Sequence, residues 1–344
     1  MSSATREAIL ARLIEAARPV SGAELAAGLG ISRTAVWKHI HALQRAGVAI
    51  AAIRGRGYRL ESDPLCAAAV TARLATRRLG RPCVVLDETD STNAEAMRRA
   101  EAGAPEGLAL LAERQLRGRG RLGRRWHAWP EHSLAMSVLL RPRAAPEAMA
   151  QLPLVAAVAA HDALAPLAPG LGIKWPNDLL LPAPDGRGRK LAGILTEMRA
   201  EPGRVQAVVV GFGINVRAPA GGWPAEIAPI AAALGDAGGD AAGDAAAEAD
   251  ANPPSRNAVA ARVLNALERR YDEWREQGFA PIRQAWLSAH VATGRRARAH
   301  DGSRYIEGVA EGLDADGALL LRVDGELARI TAGDLELTEG GDAP

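Results

Sequence analysis

Apolar positions recur at helical spacing near the start of the chain and change to alternation or short apolar runs further on. Ile9, Leu10, Leu13 and Ile14 mark a first amphipathic helix. Ser21-Gly22-Ala23-Glu24 has the form of a capping box, and Leu25 and Leu29 lie on one face of the helix it starts. Gly28 and Gly30 punctuate the chain, and Ser32 then caps a third helix that ends at Gly47. This helix points Val36, Ile40 and Leu43 inward and turns Arg33, Thr34, Lys38 and His39 outward, with Trp37 taken as a packing residue beside that face. Two helices joined by a short turn, the second basic on its outer side, make a helix-turn-helix. Ile53-Arg54-Gly55-Arg56-Gly57-Tyr58-Arg59-Leu60 reads as a hairpin wing, with Arg54 and Arg56 at its tip to meet phosphates.

Beyond Asp63-Pro64 the pattern predicts a helical connector over 64–82, a short buried strand over 83–86 and a helix over 94–102. A strand follows over 109–113. Alternation of Leu134, Met136, Val138 and Leu140 predicts a half-buried strand over 133–141. A helix over 147–165 and a strand over 189–197 come next, and the nearly unbroken apolar run over 205–210 is placed at the centre of a sheet. Residues 217–256 are dense in Ala, Gly, Pro and Asp, and residues 235–254 hold five acids and no base. They read as a low-complexity, mostly disordered insertion. Helices over 257–277 and 280–289 precede short strands separated by Asp316-Gly317, Asp324-Gly325 and Gly333-Asp334, the pattern of a small antiparallel barrel.

Composition sharpens this. A chain of 344 residues with 48% apolar and 24% charged residues is a folded protein of two or three domains, not a disordered one. The longest apolar run, residues 152–160, is too short to span a bilayer, and no basic segment followed by an apolar one marks a signal peptide. Cys66 and Cys83 cannot make a disulfide framework or a four-thiolate zinc site, so a cytoplasmic protein without a membrane partner is expected. The net charge of +2 divides unevenly: residues 1–60 hold nine Lys or Arg against three Asp or Glu, or +6, which leaves −4 for the rest. A basic head on a mildly acidic body suggests a nucleic-acid module joined to something else.

Of 42 basic residues only Lys38, Lys174 and Lys190 are lysine. Where arginine is so favoured, a lysine marks a place for a compact ammonium. The stretch from Arg114 to Trp126 has six arginines, no acid, and glycines at 118, 120 and 123. Its charges repel, so it is expected to need an anion such as phosphate, held by arginine forks and backbone N–H groups. Its spacing departs from the Walker pattern. Trp126 at its end could cover an apolar or heterocyclic group. Ser91 and Thr92 precede a helix and serve either as caps or as ligand hydroxyls. A hairpin corner explains Pro176-Asn177-Asp178 but not the Lys174-Trp175 before it. Lys190 stands at a strand mouth, Gly193 permits close approach, and Gly211-Phe212-Gly213-Ile214-Asn215 suits a site at a sheet edge.

Taken in order, Ser91-Thr92-Asn93, the Gly118-Arg119-Gly120-Arg121-x-Gly123-Arg124 loop, Lys174-Trp175-Pro176-Asn177-Asp178, Arg189-Lys190-Leu191-Ala192-Gly193 and Gly211-x-Gly213-Ile214-Asn215 resemble the bifunctional biotin–protein ligases of the BirA type, which also repress transcription. The resemblance covers nearly the whole chain. It implies an α+β protein with a winged helix-turn-helix over 1–63, a mixed-sheet α/β ligase core like a class II synthetase over 64–289, and an SH3-like barrel over 290–344. It implies that biotin and Mg-ATP give biotinyl-5′-AMP and pyrophosphate, and that biotin then passes to a lysine of the biotin carboxyl carrier protein of acetyl-CoA carboxylase. Lys190 would bridge the biotin carboxylate and the α-phosphate, with Arg119 and Arg121 assisting. Ser91, Thr92 and Gln115 would hold the ureido ring, and Asn93, Gly118, Gly120, Gly193, Gly211, Gly213 and Ile214 would complete the biotin site. Arg124, Trp126, Lys174, Asn177, Asp178 and Asn215 would join those cations around the nucleotide and Mg²⁺, with Trp126 on the adenine side and no metal site built from protein ligands alone.

The adenylate would also act as corepressor, favouring a homodimer whose heads bind operator DNA through Ser32, Arg33, Thr34, Lys38, His39, Arg54 and Arg56. Three departures stand out: Leu122 stands where the loop often repeats a basic residue, the tail stretch 333–338 lacks the arginine that some members direct at the nucleotide, and the insertion over 217–256 is long for the family. The rival readings are a lipoate–protein ligase, a biotin-sensing regulator with a dead core, and a ligase whose head no longer binds DNA.

Overall fold

The computed structural model describes residues 3–201, 204–238, 254–300 and 304–338. The head is formed by α1 (Ser3–Glu15), α2 (Gly22–Leu29), α3 (Arg33–Arg45) and the hairpin of β1 (Ile50–Ile53) and β2 (Gly57–Leu60). The capping box is present: Ser21 Oγ accepts from Glu24 N (3.1 Å) and Glu24 Oε2 accepts from Ser21 N (2.8 Å). Ser32 Oγ caps α3 by accepting from Ala35 N, and Gly30, left-handed at φ 64°, closes α2. Ile9, Leu25, Val36 and Ile40 fill the head's core, joined by Cys66 and Ala69 from beyond it. The connector is less helical than its pattern predicts, since α4 (Ala67–Thr71) is its one helix among turns.

The next unit is built on a seven-stranded mixed sheet. Its elements are β3 (Cys83–Thr89), α5 (Thr92–Glu101), β4 (Ala109–Gln115), β5 (Ser133–Leu140), α6 (Leu152–Leu164), β6 (Gly172–Lys174), β7 (Asp178–Leu181), β8 (Arg189–Glu201), β9 (Arg204–Asn215), α7 (Arg256–Gln277) and α8 (Ala280–Ala289). The strand order is β3-β4-β5-β9-β8-β7-β6, with β3 and β4 parallel and the other pairs antiparallel. Two expectations change here. β3 is an edge strand and only partly buried, whereas β5 is buried at every position because α5 packs on one face and α7 on the other. Extended by 3-10 turns, Pro146–Leu167 is long and apolar enough to cross a membrane by length and composition, yet it packs as a core helix. Burial raises the thiol pKa of Cys66 and pushes that of Cys83 up to about 12, so neither is a poised nucleophile.

The tail is an antiparallel sheet of β10 (Arg296–His300), β11 (Tyr305–Leu313), β12 (Leu319–Val323), β13 (Glu326–Ile330) and β14 (Asp334–Leu337), ordered β13-β12-β11-β10-β14. The edge strands β13 and β14 do not pair, so the expected barrel is an open sheet. Ala297, Ala299, Leu319, Leu321 and Leu335 belong to the same apolar core as the ligase unit.

The largest correction concerns residues 217–256. Residues 217–238 are folded as a strap along β8: Lys190 N donates to Ile230 O (2.6 Å), Ala232 N donates to Lys190 O (3.0 Å), and Ala231, Ala232, Ala233 and Leu234 are buried. Alanine-rich composition suggested disorder, but small side chains also let a strap lie close against a sheet. Residues 239–253 of the expected insertion lie outside the described residues. The strap's root and the start of α7 meet at Asp63. Arg217 Nη1 lies 2.9 Å from Asp63 Oδ2, and Arg256 N donates to the same oxygen (2.7 Å). Arg256 is fully buried and pairs with Glu113 at 2.9 Å.

Candidate active site and nucleic-acid interface

A cleft of about 830 Å³ opens where the first turn of α5, the end of β4, the start of β7, the mouth of β8 and the end of β9 converge. Register sets its floor. Gly193 of β8 pairs with Asp178 on one side and Gly213 of β9 on the other. Without side chains at 193 and 213 the sheet is flat, and the Trp126 ring lies on it: a Cβ at Gly213 would fall on that ring, and one at Gly193 would come within 3.2 Å of it. Trp126 Nε1 is buried without a hydrogen-bond partner, and Lys190 Nζ stands 5.6 Å from the ring centroid. Trp126 thus rests on the floor made by Gly193 and Gly213.

Beside the floor, Lys190 Nζ lies 2.7 Å from Asp178 Oδ1 and Lys174 Nζ 3.5 Å from Asp178 Oδ2. Burial would raise the pKa of Asp178, but the two ammonium groups outweigh it and hold the carboxyl below its usual range. Two of the chain's three lysines therefore converge on one carboxylate. Asn177 Nδ2 donates to Ile194 O (2.6 Å), and Asn215 Nδ2 donates to Ala232 O (3.1 Å), tying the strap to β9.

The arginine loop is closed on itself by backbone hydrogen bonds. Gly120 N donates to Arg124 O (2.7 Å), Trp126 N donates to Gly118 O (3.0 Å), and Leu122 takes a left-handed conformation at φ 53° with its side chain exposed. The anions that the loop needs come from the protein. Arg119 pairs with Glu197 at 3.0 Å, Arg121 with Asp334 at 3.1 Å, and Arg124 also with Asp334. Arg121 further donates to Gly333 O (2.9 Å). The tail stretch that offers no arginine thus supplies a carboxylate, and Arg298 of β10 lines the cleft as well.

At the opposite end, Thr92 N donates to Gln115 Oε1 (2.8 Å). Ser91 stands at the N-cap of α5 without making a side-chain cap bond and lines the cleft. Asn93 spends its amide on the protein, donating to Leu195 O (3.1 Å) and Glu197 Oε2 (2.9 Å). Its Oδ1 lies where a Cβ of Gly211 would be. Ile214 is buried beneath the floor.

Sequence reasoning missed Trp129, Trp223, Ile227, Ile230 and Asp334, all of which line the cleft. Trp129 and Trp223 meet edge to face with centroids 5.1 Å apart, and Ile230 on the strap is 61% exposed. A tryptophan amid Ala, Gly and Pro was the available signal. Among the described residues no group of three or more His, Cys, Asp and Glu could hold a metal ion.

In the head, Ser32, Arg33, Thr34, Lys38, Arg54 and Arg56 are exposed as expected. His39 is not: it is 5% exposed, because it follows Val36 by three residues and precedes Leu43 by four, on the helix face that packs inward. The outer row runs instead through Arg33, Trp37, His41 and Arg45, with Trp37 53% exposed and edge-on to His41 at 4.2 Å. Trp37, expected as packing, is on the outer face. Arg33→Ala and Lys38→Ala should each weaken DNA binding and lower the slope of log affinity against log salt by about one. Titrations of an operator duplex at several salt concentrations check this, and an unchanged slope would exclude a phosphate contact.

A cleft in which Lys174, Lys190, Arg119 and Arg121 pair with the protein's own carboxylates can bring together two anions that repel each other in water. Joined to a DNA-reading head, it defines an acid-activating ligase with a regulatory module. Three family models match in the same order: an HTH domain at residues 5–59, the biotin/lipoate A/B protein ligase family at 85–215 and the biotin protein ligase C-terminal domain at 293–337. The bifunctional ligase/repressor BirA of Bacillus subtilis is 37% identical over 324 residues, covering 92% of this chain and 94% of the relative. The biotin–[acetyl-CoA-carboxylase] ligase of Paracoccus denitrificans is 40% identical over 246 residues, or 69% of this chain and 93% of that one. Among solved structures, the biotin protein ligase from Aquifex aeolicus in complex with biotin and ATP superposes with a TM-score of 0.60 at 28% identity, covering 77% of this chain and all of that one. The chain belongs to the family of bifunctional biotin–protein ligases and repressors.

Proposed function

We propose that this chain joins biotin to ATP, releasing pyrophosphate and forming biotinyl-5′-AMP, and then transfers the biotinyl group to a carrier-domain lysine with release of AMP. The observation that supports it best is the pairing of Lys190 and Lys174 on Asp178 beside a glycine floor. In the first step an oxygen of the biotin carboxylate attacks the α-phosphorus and the bond to pyrophosphate breaks. The Lys190 ammonium, placed between carboxylate and phosphate, lowers their repulsion. Arg119, Arg121 and Arg124 exchange Glu197 and Asp334 for phosphate oxygens, which draws the loop over the nucleotide. In the second step the carrier amine attacks the acyl carbon and AMP leaves. No side-chain nucleophile is needed, because the mixed anhydride is the activated species.

Magnesium fits as a substrate-borne ion. Asp178 is one carboxylate shared by two lysines, and Asn215 Oδ1 is a buried oxygen without a protein partner, so triphosphate oxygens would provide most of the shell. The ion would neutralise charge on the leaving pyrophosphate. The units 1–63, 64–289 and 290–344 divide the work into DNA reading, chemistry and closure of the cleft. Adenylate acting as corepressor, through a homodimer that places two heads on operator DNA, completes the reading.

The test is a transfer assay with purified protein, Mg-ATP and a biotin carboxyl carrier domain, with biotin and lipoate in parallel. Biotin-dependent labelling of the carrier is expected. Labelling by lipoate instead would make the chain a lipoate ligase, and biotin binding without labelling or pyrophosphate release would make it a sensor.

A further inference from the structure

Thr92 is attached to a chain of polar groups, buried at Ser137 and Asn93, that runs beneath the cleft wall to Glu197. Ser137, on β5 between β4 and β9, is fully buried. Its Oγ lies 2.7 Å from Thr92 Oγ1 and 2.6 Å from Asn93 Oδ1. Asn93 continues the chain to Glu197, which also holds Arg119.

Counting protons fixes the direction of each bond. Leu195 O and the Glu197 carboxylate can only accept, so the Asn93 amide must point its nitrogen at them. That turns Asn93 Oδ1 toward Ser137, whose single hydroxyl proton it takes. The short contact between Ser137 and Thr92 then needs the Thr92 proton. The longer approach of Thr92 Oγ1 to Gln115 Oε1, 3.1 Å, goes without a proton, which is tolerable because that oxygen already accepts from Thr92 N at 2.8 Å. Thr92 Oγ1 is left with lone pairs alone to offer a ligand. Gln115, with its oxygen engaged by Thr92 N, turns its Nε2 to the cleft beside Gly118, where a Cβ would come within 3.1 Å of it.

We infer that Ser137 and Asn93, anchored by Glu197, are positioning residues that set Thr92 as an acceptor beside Gln115 as a donor, a pair complementary to the adjacent N–H and C=O of a cyclic urea. This rests on the reading of the cleft as a biotin site. It adds a source of selectivity, since the dithiolane of lipoate has neither group and would leave both protein groups unpaired in a dry slot.

The test measures binding of biotin, and of cyclic carbamate analogues in which one or other ureido N–H is replaced by ring oxygen, to the full-length wild type and to Ser137→Ala. In the wild type the analogue lacking the N–H that meets Thr92 should bind on the order of 10- to 100-fold more weakly than biotin. In Ser137→Ala, biotin should weaken by a similar factor while that analogue loses little, so the contrast collapses. The loss should appear in KM for biotin, with kcat at saturation within about threefold of wild type. Ser137→Cys keeps the shape but donates weakly, so it gives an intermediate contrast and serves if the alanine variant does not fold. A contrast as large in either variant as in wild type overturns the relay alone. Absence of biotin binding to the wild type overturns the site reading and the relay with it.

Discussion

Lys190→Ala should fold normally and lose biotin-dependent pyrophosphate exchange by about a thousandfold. The side chain is 34% exposed and Lys174 still pairs with Asp178 after its removal, so the fold should survive the substitution. Its removal acts on the transition state, where the carboxylate oxygen closes on the α-phosphorus and negative charge is densest. Loss of one preorganised charge at such a point costs roughly 10²–10³ in rate, and more where it also aligns the reactants. Asp178 adds to the effect. With Lys190 gone, its depressed pKa rises toward the ordinary range and only Lys174 still opposes its burial, so an incompletely neutralised carboxylate faces the incoming phosphates. Lys190→Arg should not rescue fully, because a planar fork does not fit a point where a compact ammonium meets two anions. Exchange within about fivefold of wild type in the alanine variant would remove Lys190 from the reaction.

Arg256→Ala should cost about 3–5 kcal/mol of stability, the largest expected effect outside the cleft. Arg256 is completely buried, its guanidinium is 2.9 Å from Glu113 Oε2, and its Nε donates to Asp63 O (3.1 Å). Alanine would leave Glu113, largely covered, without its cation and the Asp63 carbonyl without its guanidinium donors, although Arg217 still pairs with the Asp63 carboxylate. Arg256→Met separates lost volume from lost charge, since it restores most of the packing and none of the pairing. A denaturant titration followed by tryptophan fluorescence reads the difference. A shift no larger than that of an exposed ion pair, about 1 kcal/mol or less, would show that the cluster is not structural.

Much of this was legible in the sequence because local rules and global fold agree. The capping box at Ser21, the caps and inward row of α3 and the Gly-rich wing each have a mechanism within a few residues. The rarity of lysine pointed to Lys174 and Lys190, which the β6–β7 hairpin and β8 bring to one carboxylate. What was hidden depends on tertiary partners. His39 went astray because a polar type was weighed above its helical position. The half-burial expected of β5 failed because alternation does not reveal that helices cover both faces. The strap was lost because alanine-rich sequence reads as disorder until a sheet is there to receive it. Asp334 was invisible because a carboxylate that pairs with a loop more than two hundred residues earlier leaves no local trace.

The junction at Asp63 has a geometric consequence. Arg217 and Arg256 reach the same carboxylate from the two sides of the strap segment, so everything between them forms a ring closed at one point on the chain that joins head to core. A closed ring can gain or lose residues at its far side without moving its knot, and each doubling of its length costs only about 0.6 kcal/mol of closure entropy. Asp63 is such a knot: it holds the root of the arc over 217–238, the start of α7 and the junction of head and core, so one substitution there loosens all three together.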